Sequence, residues 1–189
     1  MSRLGQAAIR AATHAARRYL AGPEQRWVFE CPAVDWTPPR IERTSLYLHV
    51  PLCRNACPYC PYTKVPHRQE LVEPYTRAAL AEVDRWAEIV GPAEVTSVYI
   101  GGGTPTLAME SVSTILARVR DRFRLTGGVC IETSPTGVDD DLVHRLQEAG
   151  VSLVSLGVQS FQPRHLALLG RRYDPTVAER ALERLARGG

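Results

Sequence analysis

The sequence predicts an α/β fold in which parallel strands alternate with helices. Short runs rich in β-branched and aromatic residues alternate with longer segments of helical apolar period, and glycine or Gly-Pro ends several of these helical segments. This alternation favours a parallel sheet with helical crossovers. A cysteine cluster, a glycine run and two polar segments each directly follow a predicted strand. Ligands of parallel sheets bind at the carboxyl ends of the strands. The segments after the strands are therefore the candidate site.

Local composition predicts each element in turn. An Ala- and Leu-rich helix at 3–20 ends at Gly22-Pro23, and a proline-containing lead-in without a clear period extends to residue 44. The predicted strands are 45–50, 95–100, 129–133 and 151–158. The predicted helices are 69–90, 109–123, 139–149, 163–169 and 175–187. We therefore expect two parts, namely a helix with an irregular lead-in at 1–44 and an α/β domain at 45–189.

The number of strand–helix units is small for a closed barrel. A complete eight-unit barrel takes about 250 residues, or about 30 per unit. Residues 45–187 supply four units, and four parallel strands do not close a barrel. We therefore expect a partial (β/α) barrel that forms the N-terminal part of a larger domain.

Charge and hydropathy exclude two classes of function. The net charge is +3, but the first 23 residues hold four arginines and no acid, so the remainder carries a net charge of −1. A near-neutral body has no basic footprint for nucleic acid, and we expect the basic start to be a solvated helix. No apolar run approaches the ~18 residues of a membrane span.

Three of the five cysteines lie within eight residues, as Cys53, Cys57 and Cys60 in a C-x3-C-x2-C spacing. An odd count without a secretory signal argues against a disulfide framework. Thiolates this close can converge on one inorganic centre, and three of them would leave one iron of a four-iron cluster without a protein ligand. The alternative is a zinc site whose fourth ligand is Cys31, Cys130, His49 or His67.

Two further features carry weaker signals. The glycine run at 101–103 follows a strand and lets backbone approach a ligand, but it lacks the Gly-Lys-Ser/Thr ending of a phosphate loop. Cys130 alternates with Val129 and Ile131, so we expect it to pack in the core. The five histidines show no ligand spacing, and we assign them no role.

Several motifs together resemble one enzyme family. The triplet with an aromatic before its third cysteine resembles the signature of the radical S-adenosylmethionine (SAM) enzymes. The segments Ser45–Cys53, Ile100–Thr106, Ile131–Pro135 and Leu156–Phe161 occur in the order found in the oxygen-independent coproporphyrinogen III oxidase branch, which includes a related heme chaperone. The resemblance covers about 45–187. It implies a radical SAM type of partial barrel.

The resemblance implies a set of site residues. The three cysteines would bind three irons of a [4Fe–4S] cluster, and the fourth iron would hold the amino and carboxylate groups of SAM. Tyr59 would lie beside the adenine, and Arg171 would pair with the cofactor carboxylate. The remaining implied cofactor contacts are Tyr47, Gly102, Gly103, Thr104, Glu132 and Gln159.

The resemblance also implies the reaction and its partners. The reduced cluster would cleave SAM to methionine and a 5′-deoxyadenosyl radical, which takes a hydrogen atom from an organic substrate, with tetrapyrroles among the candidates. An electron donor such as flavodoxin or ferredoxin and a reducing, cytoplasmic compartment would go with this chemistry. Pro61 and Tyr62 differ from the residues that mark the chaperone and the true oxidase, so substrate and reaction type stay open between oxidase, methyltransferase and chaperone.

Overall fold

The computed structural model describes residues 40–55 and 57–188, together with Ala12 and Ala15, which are both helical. Those two are the only described positions of the helix predicted at 3–20, and most of the lead-in lies outside the described residues. The chain divides into two units, Met1–Thr37 and Pro38–Gly189, and the fold below is that of the second. No helix among the described residues is long and apolar enough to cross a bilayer.

A parallel sheet forms the centre of the second unit. Its strands are β1 (Arg43–Val50), β4 (Glu94–Gly102), β6 (Val129–Thr133) and β7 (Leu153–Leu156), paired in the order β1-β4-β6-β7, with the short β5 (Arg124–Leu125) beside the start of β4. Every pairing is parallel. A separate two-stranded ladder joins β2 (Leu52–Cys53) to β3 (Val65–Pro66). The predicted α/β class is confirmed.

Within residues 40–55 and 57–188, five helices connect and follow the strands. They are α1 (Gln69–Val90), α2 (Met109–Arg122), α3 (Asp140–Glu148), α4 (Pro163–Leu168) and α5 (Pro175–Arg187). The predictions for α1 and α5 were right to the residue, because both helices have clear boundaries in the sequence. Gly91, with φ of 70°, ends α1, and the side chain of Asp174 accepts from Thr176 N at 3.0 Å to begin α5.

Some boundaries differ from the predictions. β1 begins at Arg43, two residues earlier than predicted, because Arg43 and Thr44 pair with Glu94 and Val95. β7 spans four residues instead of the predicted eight, since Val158 N bonds Leu156 O at 2.8 Å and turns the chain away. Short 3₁₀ turns at Pro105–Ala108 and Pro135–Gly137, each beginning with a proline, were not predicted.

In the part of the chain that the structure describes, the helices cover one face of the sheet and leave the other uncovered. Val50, Val98, Ile100 and Ile131 point into this core and are at most 2% exposed, where burial of each such side chain contributes about 1.5–3 kcal/mol. Strands of parallel sheets are usually apolar on both faces. Here they alternate, and the second face, which we call the open face, is polar and accessible among the described residues. Its side chains are Ser45, Tyr47, His49, Ser97, Tyr99, Cys130, Glu132, Leu153 and Ser155.

Cys130 contradicts the expectation of core packing. It is half-buried and belongs to the open face, while its neighbours Val129 and Ile131 fill the core. Burial, followed by the nearby Glu132 carboxylate, raises the pKa of its thiol. The prediction that neighbouring residues of β6 face opposite sides of the sheet was right. The assignment of Cys130 to the core side was wrong, because Cys130 lies on the open face.

Candidate functional site

A cavity of about 640 Å³ lies where the segments after β1, β4, β6 and β7 meet. Ten of the eleven site residues implied by the resemblance line it. They come from the segments after β4, β6 and β7 and from the loop at 52–67, which we call the cysteine loop. These ten are Cys53, Cys57, Tyr59, Cys60, Gly102, Gly103, Thr104, Glu132, Gln159 and Arg171. Tyr47 is not among the lining residues and lies on the open face, 56% exposed. The carboxyl ends of the strands thus bring together residues that are up to 118 positions apart.

The cysteine loop is closed at its base by backbone hydrogen bonds. Val65 N donates to Pro51 O and His67 N donates to Cys53 O, both at 2.9 Å, alongside the β2–β3 ladder. Within the loop, Cys60 N donates to Cys57 O at 3.2 Å, and Lys64 Nζ donates to Cys60 O at 2.8 Å. The three thiols are therefore carried by a loop whose two ends are held at fixed positions.

The three thiols are free and half-buried. The Cys53 thiol lies 3.0 Å from Asn55 O, and the Cys57 thiol lies 4.0 Å from the same carbonyl, so both belong to one turn. Among the described residues, no three His, Cys, Asp or Glu side chains are already grouped closely enough to hold a metal ion. The loop nevertheless fits a [4Fe–4S] cluster by donor type and by its place at the cavity, because thiolates are the usual ligands of such clusters.

The glycine run packs against the base of the cysteine loop. Gly103 N donates to Val50 O at 2.8 Å and Thr104 N donates to Leu52 O at 2.7 Å. A Cβ on Gly103 would stand 2.3 Å from Leu52 O, a distance that no side chain can accept. Gly102 has φ of 114°, which favours glycine. These glycines serve close backbone packing at the cavity wall, in addition to the ligand access expected from the sequence.

Glu132 is held by two donors from β4. The Tyr99 hydroxyl donates to Oε1 at 2.7 Å, and Gly102 N donates to Oε2 at 3.2 Å. Its carboxylate, which lines the cavity, is therefore oriented and is more than a solvated strand end. The hydrogen bond to Glu132, followed by burial, raises the pKa of Tyr99.

The Arg171 side chain contacts the cysteine loop, although it lies 112 residues after Tyr59 in the chain. Its guanidinium donates to the Tyr59 hydroxyl at 3.0 Å, while its Nε is buried and has no partner among the described residues. Burial by itself would lower the pKa of Arg171, but the Tyr59 hydrogen bond and the Cys57 thiol raise it overall. A buried, unpartnered donor at a cavity wall fits the carboxylate that the resemblance implies.

Gln159 has a strained backbone at the cavity. Its φ is 69°, and it is the only described residue other than glycine with a positive φ. Ser160 N donates to Val158 O at 2.9 Å, and the Tyr173 hydroxyl donates to the same carbonyl at 2.5 Å. Such strain clusters at ligand sites.

Sequence reasoning gave three side chains of this region no place in the cofactor site, although it considered two of them, His49 and His67, as zinc ligands. Tyr99 holds Glu132, His49 joins Tyr47 to the cysteine loop, and His67 has a buried Nε2 without a partner among the described residues. His67 lines the cavity. The alternation of polar and apolar residues along β1 and β4 could have indicated His49 and Tyr99, because each of them lies between residues of the core. The sequence indicated His67 only as an alternative zinc ligand near the cysteine triplet.

Curated proteins with similar sequences include some named coproporphyrinogen III oxidase and some named heme chaperone. The chain is 36% identical over 148 residues to the oxygen-independent coproporphyrinogen III oxidase of Bradyrhizobium diazoefficiens, with 76% of this chain and 31% of that protein covered. It is 37% identical over 151 residues to the heme chaperone HemW of Escherichia coli K12, with 75% of this chain and 39% of that protein covered. The chain thus spans about a third of the length of these relatives.

A solved structure has the same fold. Coproporphyrinogen III oxidase (HemN) from Escherichia coli, described as a radical SAM enzyme, superposes with a TM-score of 0.72 at 27% identity. The superposition covers 81% of this chain and 36% of that one. The expected resemblance to a radical SAM type of barrel is confirmed.

The family assignment rests on the largest part of the chain. Residues 47–189, which include all eleven implied site residues, match the Radical SAM superfamily. The cofactors of that superfamily are a [4Fe–4S] cluster and SAM, so membership decides against the alternative of a zinc module. Because the match extends over most of the chain, the chain belongs to the Radical SAM superfamily.

Proposed function

We propose that this chain forms the cluster- and cofactor-binding part of a radical SAM enzyme that cleaves SAM reductively and acts on an organic substrate. The observation that carries the proposal is the convergence of three cysteines, an oriented carboxylate and a buried arginine donor on one cavity. Perturbed and unpartnered groups that converge in a cavity are the usual mark of a functional site.

The positions and hydrogen-bond partners of several cavity residues support the roles that we propose for them. Cys53, Cys57 and Cys60 would bind three irons, and Arg171 Nε would donate to the SAM carboxylate. Glu132 would accept from the ribose or the amine, because both its oxygens keep a lone pair beyond their present bonds.

The other contacts follow the walls of the cavity. Tyr59, whose hydroxyl is fixed by Arg171, would place its ring beside the adenine. Further contacts would come from Gly102, Gly103, Thr104 and Gln159 on the wall, and from Tyr47 on the adjoining open face.

When bound, the cluster and SAM supply a one-electron cleavage whose 5′-deoxyadenosyl product takes a hydrogen atom from the substrate. The chain contributes the orientation of both groups. Its closed loop would hold the thiols, its glycine run packs the cavity wall against the base of that loop, and its oriented carboxylate and its guanidinium would hold polar groups of the cofactor. Such preorganisation is what a protein adds to cofactor chemistry.

The names of the relatives suggest the substrate class and the partners. Relatives named for coproporphyrinogen III and for heme make a tetrapyrrole the substrate class that we propose. A one-electron donor such as flavodoxin or ferredoxin would supply the electron, and a reducing, cytoplasmic compartment would preserve the thiolates. Oxidase and SAM-dependent transferase outcomes both remain compatible with this site.

A second candidate is a heme chaperone that holds the cluster without turnover. Relatives with that name match this chain at 28% to 38% identity, against 35% and 36% for those named oxidase. Identity therefore does not favour the enzyme over the chaperone.

Anaerobic reconstitution tests the proposal. The protein is loaded with iron and sulfide, its metals are measured, and the reduced form is studied by EPR with and without SAM. About four irons per chain and a spectrum that changes with SAM support the site. Tightly held zinc without a cluster signal contradicts it.

Product analysis separates the two candidates. Reduction by dithionite in the presence of SAM yields methionine and 5′-deoxyadenosine if the chain is an enzyme. SAM binding without either product, in a preparation with a full complement of iron, favours the chaperone. Cys57→Ser is the matched negative control, since it removes one iron ligand and leaves the other two.

A further inference from the structure

Tyr99 lies on the open face of β4 and was not indicated by any motif. Its hydroxyl donates to Glu132 Oε1 on the neighbouring strand at 2.7 Å. Gly101, two positions further along β4 on the same face, leaves the space in which they meet. A Cβ there would stand 3.1 Å from both the Glu132 carboxylate and the Tyr99 ring.

The Tyr99 ring is itself held from the other side. It stacks on Tyr47 of β1 with centroids 6.1 Å apart and an angle of 24° between the planes. The Tyr47 hydroxyl lies 3.0 Å from His49 Nδ1, and His49 Nε2 lies 2.8 Å from Thr63 O at the end of the cysteine loop. A continuous set of contacts therefore runs from the cysteine loop to Tyr99.

The Glu132 carboxylate connects this set of contacts to the glycine run. Oε1 accepts from Tyr99 and Oε2 accepts from Gly102 N at 3.2 Å. Loss of the Tyr99 hydroxyl would leave only the longer of the two bonds. The carboxylate would then rotate more freely before a ligand arrives, and ordering such a side chain costs affinity.

We propose that Tyr99 is a positioning residue that fixes the Glu132 carboxylate in the orientation that receives SAM. The inference rests on the proposed function, because it takes Glu132 as a cofactor contact. Tyr99 itself acts through Glu132 and is 39% exposed beside the site.

The Tyr99→Phe variant tests this role, because it keeps the ring and its stack on Tyr47. We expect the dissociation constant of SAM, measured by calorimetry on the cluster-loaded full chain, to rise about five- to tenfold. The iron content and the melting temperature should stay as in the parent protein. Ser97→Ala is the matched control, since Ser97 lies on the same face of β4 and its hydroxyl bonds Ser45. It should change the affinity less than twofold.

A double-mutant cycle with Glu132→Ala, read out as SAM affinity, distinguishes positioning of Glu132 from a purely structural role of Tyr99. If Tyr99 acts through Glu132, Tyr99→Phe should change the SAM affinity less than twofold in the Glu132→Ala background. Equal effects of Tyr99→Phe in both backgrounds would overturn the inference. So would a loss of affinity in Glu132→Ala without one in Tyr99→Phe, a result that leaves the proposed function intact. Unchanged affinity in Glu132→Ala itself would overturn the cofactor role of Glu132 and the inference with it.

Discussion

The Arg171 guanidinium donates a 3.0 Å hydrogen bond to the hydroxyl of Tyr59, which lies 112 residues earlier in the chain. Gly170, next to it, packs so closely on the cysteine loop that a Cβ would stand 2.9 Å from Pro58 Cδ. The segment after α4 and the cysteine loop therefore form one wall of the cavity. Arg171 keeps its buried Nε without a partner among the described residues, so a donor is available to a ligand there.

We predict that Arg171→Ala weakens SAM binding about ten- to a hundredfold, because a charge-assisted hydrogen bond to a carboxylate is lost. Arg172→Ala is the matched control, since Arg172 is exposed and should change the affinity less than twofold. Calorimetry on the cluster-loaded protein compares the two. Equal effects of both variants would show that only the local positive charge matters.

Cysteine variants should separate cluster ligands from the thiol of the open face. Cys57→Ser should reduce the iron content and abolish the cluster absorption, because serine is a poor substitute for a thiolate ligand. Cys130→Ser should retain about four irons per chain, since Cys130 belongs to β6 and not to the loop. Iron and sulfide analysis after anaerobic reconstitution is the measurement. A loss of iron in Cys130→Ser would contradict the assignment of the three loop cysteines as the whole ligand set.

Gly103→Ala should destabilise the protein by about 1–3 kcal/mol, the usual cost of forcing atoms into a packed site. The added Cβ would stand 2.3 Å from Leu52 O, so the backbone must move. Gly137→Ala is the control, since a Cβ there meets nothing within 4 Å, and it should leave stability unchanged or slightly raised. Urea unfolding of both variants measures the difference. Equal stabilities would mean that the glycine run is free to move.

Gln159→Gly should separate stability from binding. Release of the positive φ of Gln159 should raise the free energy of unfolding by about 1 kcal/mol, after the entropy that glycine adds to the unfolded chain. Loss of the side chain should at the same time weaken SAM binding if Gln159 contacts the cofactor. Urea unfolding and calorimetry on one preparation check both effects. Lower stability would show that the backbone at this position is not strained.

The cap of α5 predicts a pH dependence of stability. The backbone hydrogen bond from Thr176, followed by its side chain, lowers the pKa of Asp174 from 3.8. A lowered pKa of a carboxyl stabilises the fold above pH 3.8, and this stabilisation is lost as the pH falls through the folded value. The melting temperature of Asp174→Ala should therefore lie below that of the parent at pH 7, and the gap should narrow below pH 4. A gap that does not depend on pH would show that the charge does not matter.

Much of the fold follows from local patterns. The helical period between Arg68 and Gly91 predicts α1 to the residue, since apolar spacing and end signals act within a few positions. The cysteine spacing indicates the centre of the site without any tertiary information. The order of strands and helices then predicts that Glu132 and Gln159 meet the cysteine loop, because the carboxyl ends of parallel strands share one edge.

Local patterns thus specify the class of fold, the order of its elements and the cysteine triplet. Packing between distant segments sets which face of each strand is open, and therefore that Cys130 lies outside the core and that Tyr99 reaches Glu132. Alternation is a property of one strand, whereas the face it presents depends on which helices cover the sheet. The burial of Arg171 Nε likewise depends on packing between segments far apart in the chain, which no local pattern encodes.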